Sequence, residues 1–509
     1  MTKKIGIIGA GISGLLACKF ALEKGFEPVV FEAGSKIGGV WAKTLATTEL
    51  QTPKSVYQFT DFPWPSSVSE DFPTSKQVID YVKAYADHFD LIRHIKFNSK
   101  VVSIDHQETR GKGVQPSSWD SDGQWNIEVE DPTTLTIQTH QVDFVMLCVG
   151  RFSGVPNIPE FAPNQGPEAF DGKVIHSIDY SAMDEEKAAD YVKGKKVTVV
   201  GFQKSALDIT QECVTVNGVE NPVTVIIRKP HWNVSDYLPW GVPLAFLYLN
   251  RLSELTVHKP GEGLLLSLLA TVLSPLRWAV SKFVESDIKR KHHLKKYGMV
   301  PDHSFLQDIH SCHLPIVPKG FYDNVEKGSI MLKRSQNISF CKEGVLVDGE
   351  DRLVKSELVI LATGFKGVEK LKGIFASPSY QEYIAGSSDR IIPLYRQCIP
   401  PRIPCLAVIG FSDSLSNLYT SEIQCRWFLE LIDGTFKLPS IQEMDKDISR
   451  WDEFHKKYSK QYYRRSCVGA LHIWYNDQLC KDMGWNRKRK KGLLAELIVP
   501  YGPMDYAKK

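Results

Sequence analysis

Ile5-Gly6-Ile7-Ile8-Gly9-Ala10-Gly11-Ile12-Ser13-Gly14 decides the fold. Ile5, Ile7 and Ile8 form the short apolar run of a parallel strand buried on both faces. Gly9, Gly11 and Gly14 then spell G-x-G-x-x-G where strand turns into helix. Gly9 permits the tight turn, Gly11 lets the backbone approach a pyrophosphate, and Gly14 lets helix and strand pack closely. Ala10, Ile12 and Ser13 complete the candidate phosphate loop. A helix apolar on one side is predicted over Leu15–Lys24, ending at Gly25 as its C′ residue. A second strand, Pro28-Val29-Val30-Phe31, delivers Glu32 where an acid accepts the ribose hydroxyls of an adenine dinucleotide.

A chain of 509 residues buries a large core and is expected to hold two or more domains. The formal charge of +3 implies no nucleic-acid partner. A strand entered within four residues leaves no room for a leader. Ten cysteines lie scattered without C-x-x-C or metal-ligand spacing. That suits a reducing, cytoplasmic compartment, and no metal site is expected.

Beyond Glu32, Gly38-Gly39-Val40-Trp41 pairs glycines with an aromatic, a second close approach to a bound cofactor at Gly39, Val40 and Trp41. Ser75 is the expected N-cap of a helix over Val78–His88. Strands are expected at Asn98–Ile104, Trp125–Glu130, Leu135–Thr139 and Val142–Leu147, with a hairpin-like excursion near 111–123.

A second nucleotide turn follows the strand Lys196–Val200, as Gly201-Phe202-Gln203-Lys204-Ser205-Ala206, with a helix over Leu207–Val214. It matches G-x-G-x-x-G/A at its ends, but Gln203 replaces the middle glycine and keeps the backbone farther from a pyrophosphate. Lys204 either compensates by charge or is solvated. The next strand, Val223–Ile227, ends in Arg228-Lys229, bases that suit the 2′-phosphate of NADP. Residues 238–284 are apolar and irregular. Leu264–Leu273 is too short to span a bilayer and reads as part of a core helix pair before a solvated charged face. A shallow contact at the endoplasmic reticulum surface or a channel lining is the alternative. Arg487–Lys491 reads as exposed surface. Leu358–Phe365 repeats the strand-to-glycine theme of Val145–Gly150, two strand ends expected to meet a bound cofactor, with Thr363 and Gly364 as cofactor-binding residues.

Together with Phe170-Asp171-Gly172-Lys173-Val174-Ile175-His176-Ser177-Ile178-Asp179-Tyr180, an F-x-G-x-x-x-H-x-x-x-Y signature, these motifs resemble the flavin-containing monooxygenases. The G-F-x-K-S-A turn and the lack of a C-terminal membrane anchor are most similar to the plant branch of the pipecolate N-hydroxylase type. Ser181 and Gln51 depart from the family pattern, Gln51 standing where an active-site Asn is usual. The resemblance implies FAD and NADPH as cofactors. It implies reduced flavin that captures O₂ as a C4a-hydroperoxide and passes one oxygen to a small molecule. Gln51 is the implied catalytic hydrogen-bonding residue, and His176 is expected to be structural in the linker between domains, with a nicotinamide or phosphate contact as the alternative.

The expected fold is α/β, with two Rossmann-like dinucleotide-binding domains. The NADP domain (171–324) is inserted into the FAD domain (1–170 and 325–509). N-oxygenation is the leading expectation. S-oxygenation, carbonyl oxygenation and a non-catalytic FAD-binding role are its rivals. A flavin disulfide reductase is disfavoured, because no C-x-x-x-x-C follows Trp41.

Overall fold

The computed structural model describes residues 2–107, 119, 123–132, 134–349 and 352–507. The excursion expected near 111–123 lies almost wholly outside the described residues. Two five-stranded parallel sheets carry the molecule; four neighbouring strands repeat one order in both, while the fifth is the last strand in the chain in the first sheet and the earliest in the second. In the first, Lys4–Ile8 lies between Glu27–Phe31 and Phe144–Leu147, with Ile95–Lys96 and Leu406–Val408 at the edges. In the second, Val197–Val200 lies between Val223–Ile227 and Leu358–Leu361, with Ile330–Arg334 and Lys173–His176 at the edges. Ile5, Ile7, Val199 and Val225 are fully buried, as apolar runs covered on both faces must be.

Sheet membership moves the expected domain boundary. Ile330–Arg334 and Leu358–Leu361 both belong to the second sheet, so the inserted unit continues past 324 to Leu361. The chain rejoins the first sheet at Leu406–Val408. The predicted β region forms a separate antiparallel sheet of Lys100–His106, Trp125–Glu130 and Ile137–Val142.

Several local expectations shift. The phosphate-loop helix spans Ile12–Glu23 and is buried nearly all round, not on one face. The helix Asn417–Ile432 covers the side turned away from the sheet, and even Lys19 is buried there, paired with Asp61 and with Glu23 at 2.7 Å. Thr74, not Ser75, caps the helix Ser75–His88. Its Oγ1 accepts from Gln77 N while Gln77 Oε1 accepts from Thr74 N, a capping box. The scattered cysteines conceal one disulfide, Cys312–Cys467, which joins residues 155 apart in sequence. Sequence spacing carries no trace of a contact that only folding creates.

The core-helix-pair reading of 264–284 is overturned. Leu264 is 91% exposed and Leu265 80%, with Leu268, Val272, Leu276 and Trp278 also exposed. Among the described residues no single helix is long and apolar enough to cross a membrane. The pair Leu264–Val272 and Ser274–Lys291, bent by 47°, is so only when its members are taken together.

Candidate active site

The first loop is a cradle that side chains would fill. Gly9 has φ +101°, and a Cβ there would lie 2.7 Å from the Cys148 carbonyl oxygen. A Cβ on Gly14 would overlap the Gly9 carbonyl oxygen at 1.9 Å, so helix and strand pack as closely as glycine allows. The Gly38-Gly39 turn folds back over the loop. Gly38 N donates to Ala10 O at 2.9 Å, and a Cβ on Gly11 would stand 3.5 Å from Gly39 Cα. Ala10 through Gly14 thus present backbone at a helix N-terminus with no acid in its first turn, a ready anion site. Ser13 Oγ donates to Ser421 Oγ at 3.0 Å, which ties the loop to the helix behind it. Glu32 is half-buried, and its carboxylate accepts from Ala10 N at 2.8 Å and Gly34 N at 2.7 Å. An open, glycine-lined groove with an acid at its edge fits a flavin dinucleotide. Val40 lies exposed beside it, and Trp41 Nε1 donates to Tyr57 Oη at 2.7 Å.

The second loop repeats the first turn. Gly201 has φ +135°, and its N–H donates to Ile226 O at 3.0 Å. The helix spans Lys204–Asn217, three residues earlier than expected, with Gln203 as its N-cap residue in extended backbone and no acid in the first turn. Phe202 and Ala206 are buried, while Ser205 is exposed. Gln203 Nε2 is buried without a hydrogen-bond partner, a free donor beside an anion-seeking helix end that fits a nucleotide phosphate. Lys204 is neither solvated nor free. Its Nζ pairs with buried Asp208 at 2.8 Å. Arg228 is exposed at the end of Val223–Ile227, the expected place for a 2′-phosphate.

The two units are bolted together by the segment bearing Gln51. Thr48 Oγ1 donates to Asp208 at 2.7 Å, and Thr47 Oγ1 to Glu212. Burial raises the pKa of Asp208 against the pull of Lys204 and Thr48. Tyr237 Oη donates to the Gln51 carbonyl at 2.5 Å, and Gln51 itself is exposed. Beside them lies an apolar cavity of about 200 Å³ lined by Thr52, Val56, Phe72, Tyr237, Leu244 and Leu415. A recess of about 260 Å³ between Glu23, Lys24, Arg426 and Glu430 sits behind the first sheet, away from both loops. Thr363 and Gly364 meet the linker between the units. Thr363 Oγ1 donates to Asn157 O at 2.5 Å, and Gly364 O accepts from Asn157 N at 2.9 Å. His176 contacts Gly364 O at 3.0 Å through one ring nitrogen and accepts from Ile178 N through the other, a structural arrangement.

Tyr237, Thr48 and Asp208 carry no sequence signal, because each matters only once the units meet. Lys370 is another such residue. It is bonded to Val149 O and to Ser153 Oγ at 2.8 Å, and burial pushes its pKa down to about 8.

With this geometry in hand, the flavin-binding monooxygenase-like family model matches residues 2–492. The chain belongs to that family. It is 38% identical to the probable flavin-containing monooxygenase 1 of Arabidopsis thaliana, over 99% of this chain and 96% of that one. It is 27% identical to the N-oxide-forming dimethylaniline monooxygenase 2 of Oryctolagus cuniculus, over 95% of this chain and 83% of that one. The fold superposes on a closed structure of cyclohexanone monooxygenase with a TM-score of 0.66 at 17% identity, covering 94% and 97% of the two chains. This family member is a flavoprotein oxidoreductase of the monooxygenase type.

Proposed function

We propose that the chain uses NADPH and O₂ to place one oxygen atom on the nitrogen of a small molecule, by N-hydroxylation or N-oxygenation. The observation that carries this reading is the apolar cavity lined by Tyr237, which holds the Gln51 carbonyl, between residues 52–72 of the first unit and 236–249 of the second. A reactive oxygen species survives only where water is kept out. Similarity to a relative named for N-oxide formation supports nitrogen as the acceptor.

In this reading Gly9, Ala10, Gly11, Ile12, Ser13, Gly14, Glu32, Gly39, Val40 and Trp41 hold FAD. Gly201 through Ala206 and Arg228 hold NADPH, and Thr363 with Gly364 closes the linker between them. Reduced flavin, when bound, activates O₂ and supplies the transferred atom. The chain's own residues position and shield. Val56, Phe72, Leu244 and Leu415 exclude water from the cavity. Tyr237 pins the Gln51 backbone, so that the Gln51 amide offers hydrogen bonds at the reacting centre.

Purified flavin-loaded protein given amines, thioethers, oximes and ketones with NADPH should yield N-oxygenated products. S- or carbonyl-oxygenated products would reassign the acceptor. NADPH that fails to bleach the flavin would leave only a flavin-binding role. Gln51→Ala should release more H₂O₂ per NADPH at unchanged flavin content, and unchanged coupling would remove Gln51 from its role.

The exposed helix pair supports contact with a lipid surface in the same reading. Leu264, Leu265, Leu268 and Trp278 project their apolar side chains, and Lys282 is exposed on the same helix pair. The helix Arg251–Leu255 packs against both Leu264–Val272 and Leu493–Ile498, the latter with exposed Leu493 and Leu494 beside exposed Lys491. Apolar side chains ringed by cations suit an anionic bilayer interface. Flotation with anionic vesicles should carry the protein upward, and Leu264→Ser with Leu265→Ser should leave it in the soluble fraction. Equal flotation of both would remove this contact.

A further inference from the structure

Away from the flavin cradle, one cluster holds a close contact that hydrogen bonding does not explain, beside a His231–Asp308 pair that it does. Asp308, fully buried in the helix Phe305–His310, accepts from Trp232 N through Oδ2 at 2.8 Å. Its other oxygen, Oδ1, lies 3.1 Å from His231 Nδ1 and 2.9 Å from His303 Nε2. His303 Nδ1 in turn lies 3.2 Å from Oδ1 of the exposed Asp302.

The second contact fixes the tautomer. An exposed carboxylate only accepts, so His303 Nδ1 carries hydrogen and donates to Asp302. In the neutral form of that ring the lone pair of Nε2 faces the Asp308 carboxylate, acceptor against acceptor. A metal cation between them removes that repulsion, and so does a second proton on the ring. A proton would form a linear hydrogen bond, yet Nε2 is buried without any partner in hydrogen-bond geometry despite the 2.9 Å separation. Close atoms that do not point at each other converge on a third point. Ligand atoms about 2.0–2.2 Å from a tetrahedral ion stand roughly 3.3–3.6 Å apart, somewhat wider than the 2.9 and 3.1 Å contacts at Asp308 Oδ1, which an entering ion would spread.

We propose that His231, His303 and Asp308 bind one divalent transition-metal ion of the zinc class. Their three ligand atoms lie within 4.8 Å of one another. The ligand set, two imidazoles and a carboxylate, suits zinc with water in the remaining position. Asp302 supplies the carboxylate–histidine support that orients such ligands. His303 is mostly buried, with the exposed Asp302 next to it in the chain. The ion would clamp the stretch just beyond the second nucleotide strand, where Asn233 Nδ2 donates to Phe202 O at 3.4 Å. Tyr462 closes the other side, with its ring 5.8 Å from His231 and 4.2 Å from His313. This inference is independent of the proposed oxygenation.

The test uses the full flavin-loaded chain, stripped with a chelator and titrated calorimetrically with Zn²⁺, then with Co²⁺ followed by visible absorption. One ion per chain is expected, with a rise in Tm reversed by chelator and Co²⁺ bands of a four-coordinate site. His303→Gln should weaken binding at least 100-fold, and Asp302→Asn roughly 10-fold, the usual effect of losing an outer partner. Should His303→Gln fold poorly, Asp308→Asn takes its place. Equal uptake by wild type and these variants would overturn the site. So would no uptake by wild type, which would leave a protonated His–Asp cluster.

Discussion

The two nucleotide loops share a strand order and a first glycine, and they diverge at the next position. Gly9 and Gly201 do the same work. Each has positive φ, and a Cβ on either would press on a carbonyl just past the neighbouring strand, at Cys148 or Ala362. Gly11 and Gln203 both sit in backbone that any residue adopts, with φ of −74° and −107°. Neither its own conformation nor the crossing Gly39, 3.5 Å from where a Gly11 Cβ would stand, demands glycine at position 11, which leaves the close approach of a bound pyrophosphate as its reason. At Gln203 the longer residue brings a buried donor instead. At the last position Gly14 touches Gly9, whereas Ala206 fits with its Cβ 3.5 Å from where a Gly201 Cβ would stand. Glycine spacing thus records how closely backbones approach, which differs between two loops of the same topology.

The sharpest way to break this comparison is Gly14→Ala. A Cβ 1.9 Å from a backbone oxygen cannot be absorbed by a flexible side chain. Overpacking should cost about 3 kcal/mol, and the variant should be nearly colourless, read by thermal melting and flavin absorbance. Ala206→Gly, its counterpart in the second loop, should cost no more than about 1 kcal/mol through helix entropy. Equal losses would erase the difference between the loops.

Gly11→Ala makes only an ordinary contact with Gly39, so the fold should stand while flavin binds roughly 30-fold more weakly, about 2 kcal/mol. A flavin titration checks it. Gln203→Ala should leave flavin content unchanged and raise KM for NADPH about 10-fold, the low end for a lost hydrogen bond to a charged group. An unchanged KM would make position 203 a spacer.

The smallest effect tests whether these changes stay local. Glu254 is fully buried, accepting from Ile473 N and Trp474 N, and burial pushes its pKa up to about 8. An unfolded glutamate titrates near ~4.3. The folded state therefore holds this proton more tightly, and stability should decline as pH rises from about 4.5 to 8. Melting curves of Gly11→Ala and Gln203→Ala should keep the wild-type slope over that window, and Glu254→Gln should flatten it.

Legibility followed the range of the interaction. Both loops, both central strands and the antiparallel strands could be read in advance, because burial on two faces and turn geometry leave local patterns. The one-sided reading of the first helix failed because the helix Asn417–Ile432, some four hundred positions away, covers its other side. The domain boundary failed because strands carry no label for the sheet they will join. Leu264–Leu273 was misread for a related reason, since an apolar helix looks the same whether a core covers it or not.

By itself, the sequence determined the family, the two nucleotide turns and the residues that line them, since glycine placement and strand patterning act over a few residues. Only the tertiary structure decided which strands share a sheet and that Thr48 and Tyr237 fasten Gln51 between the units. It alone joined Cys312 to Cys467 and turned His231, His303 and Asp308 toward one point. Those outcomes depend on packing between segments far apart in the chain, and no local pattern encodes them.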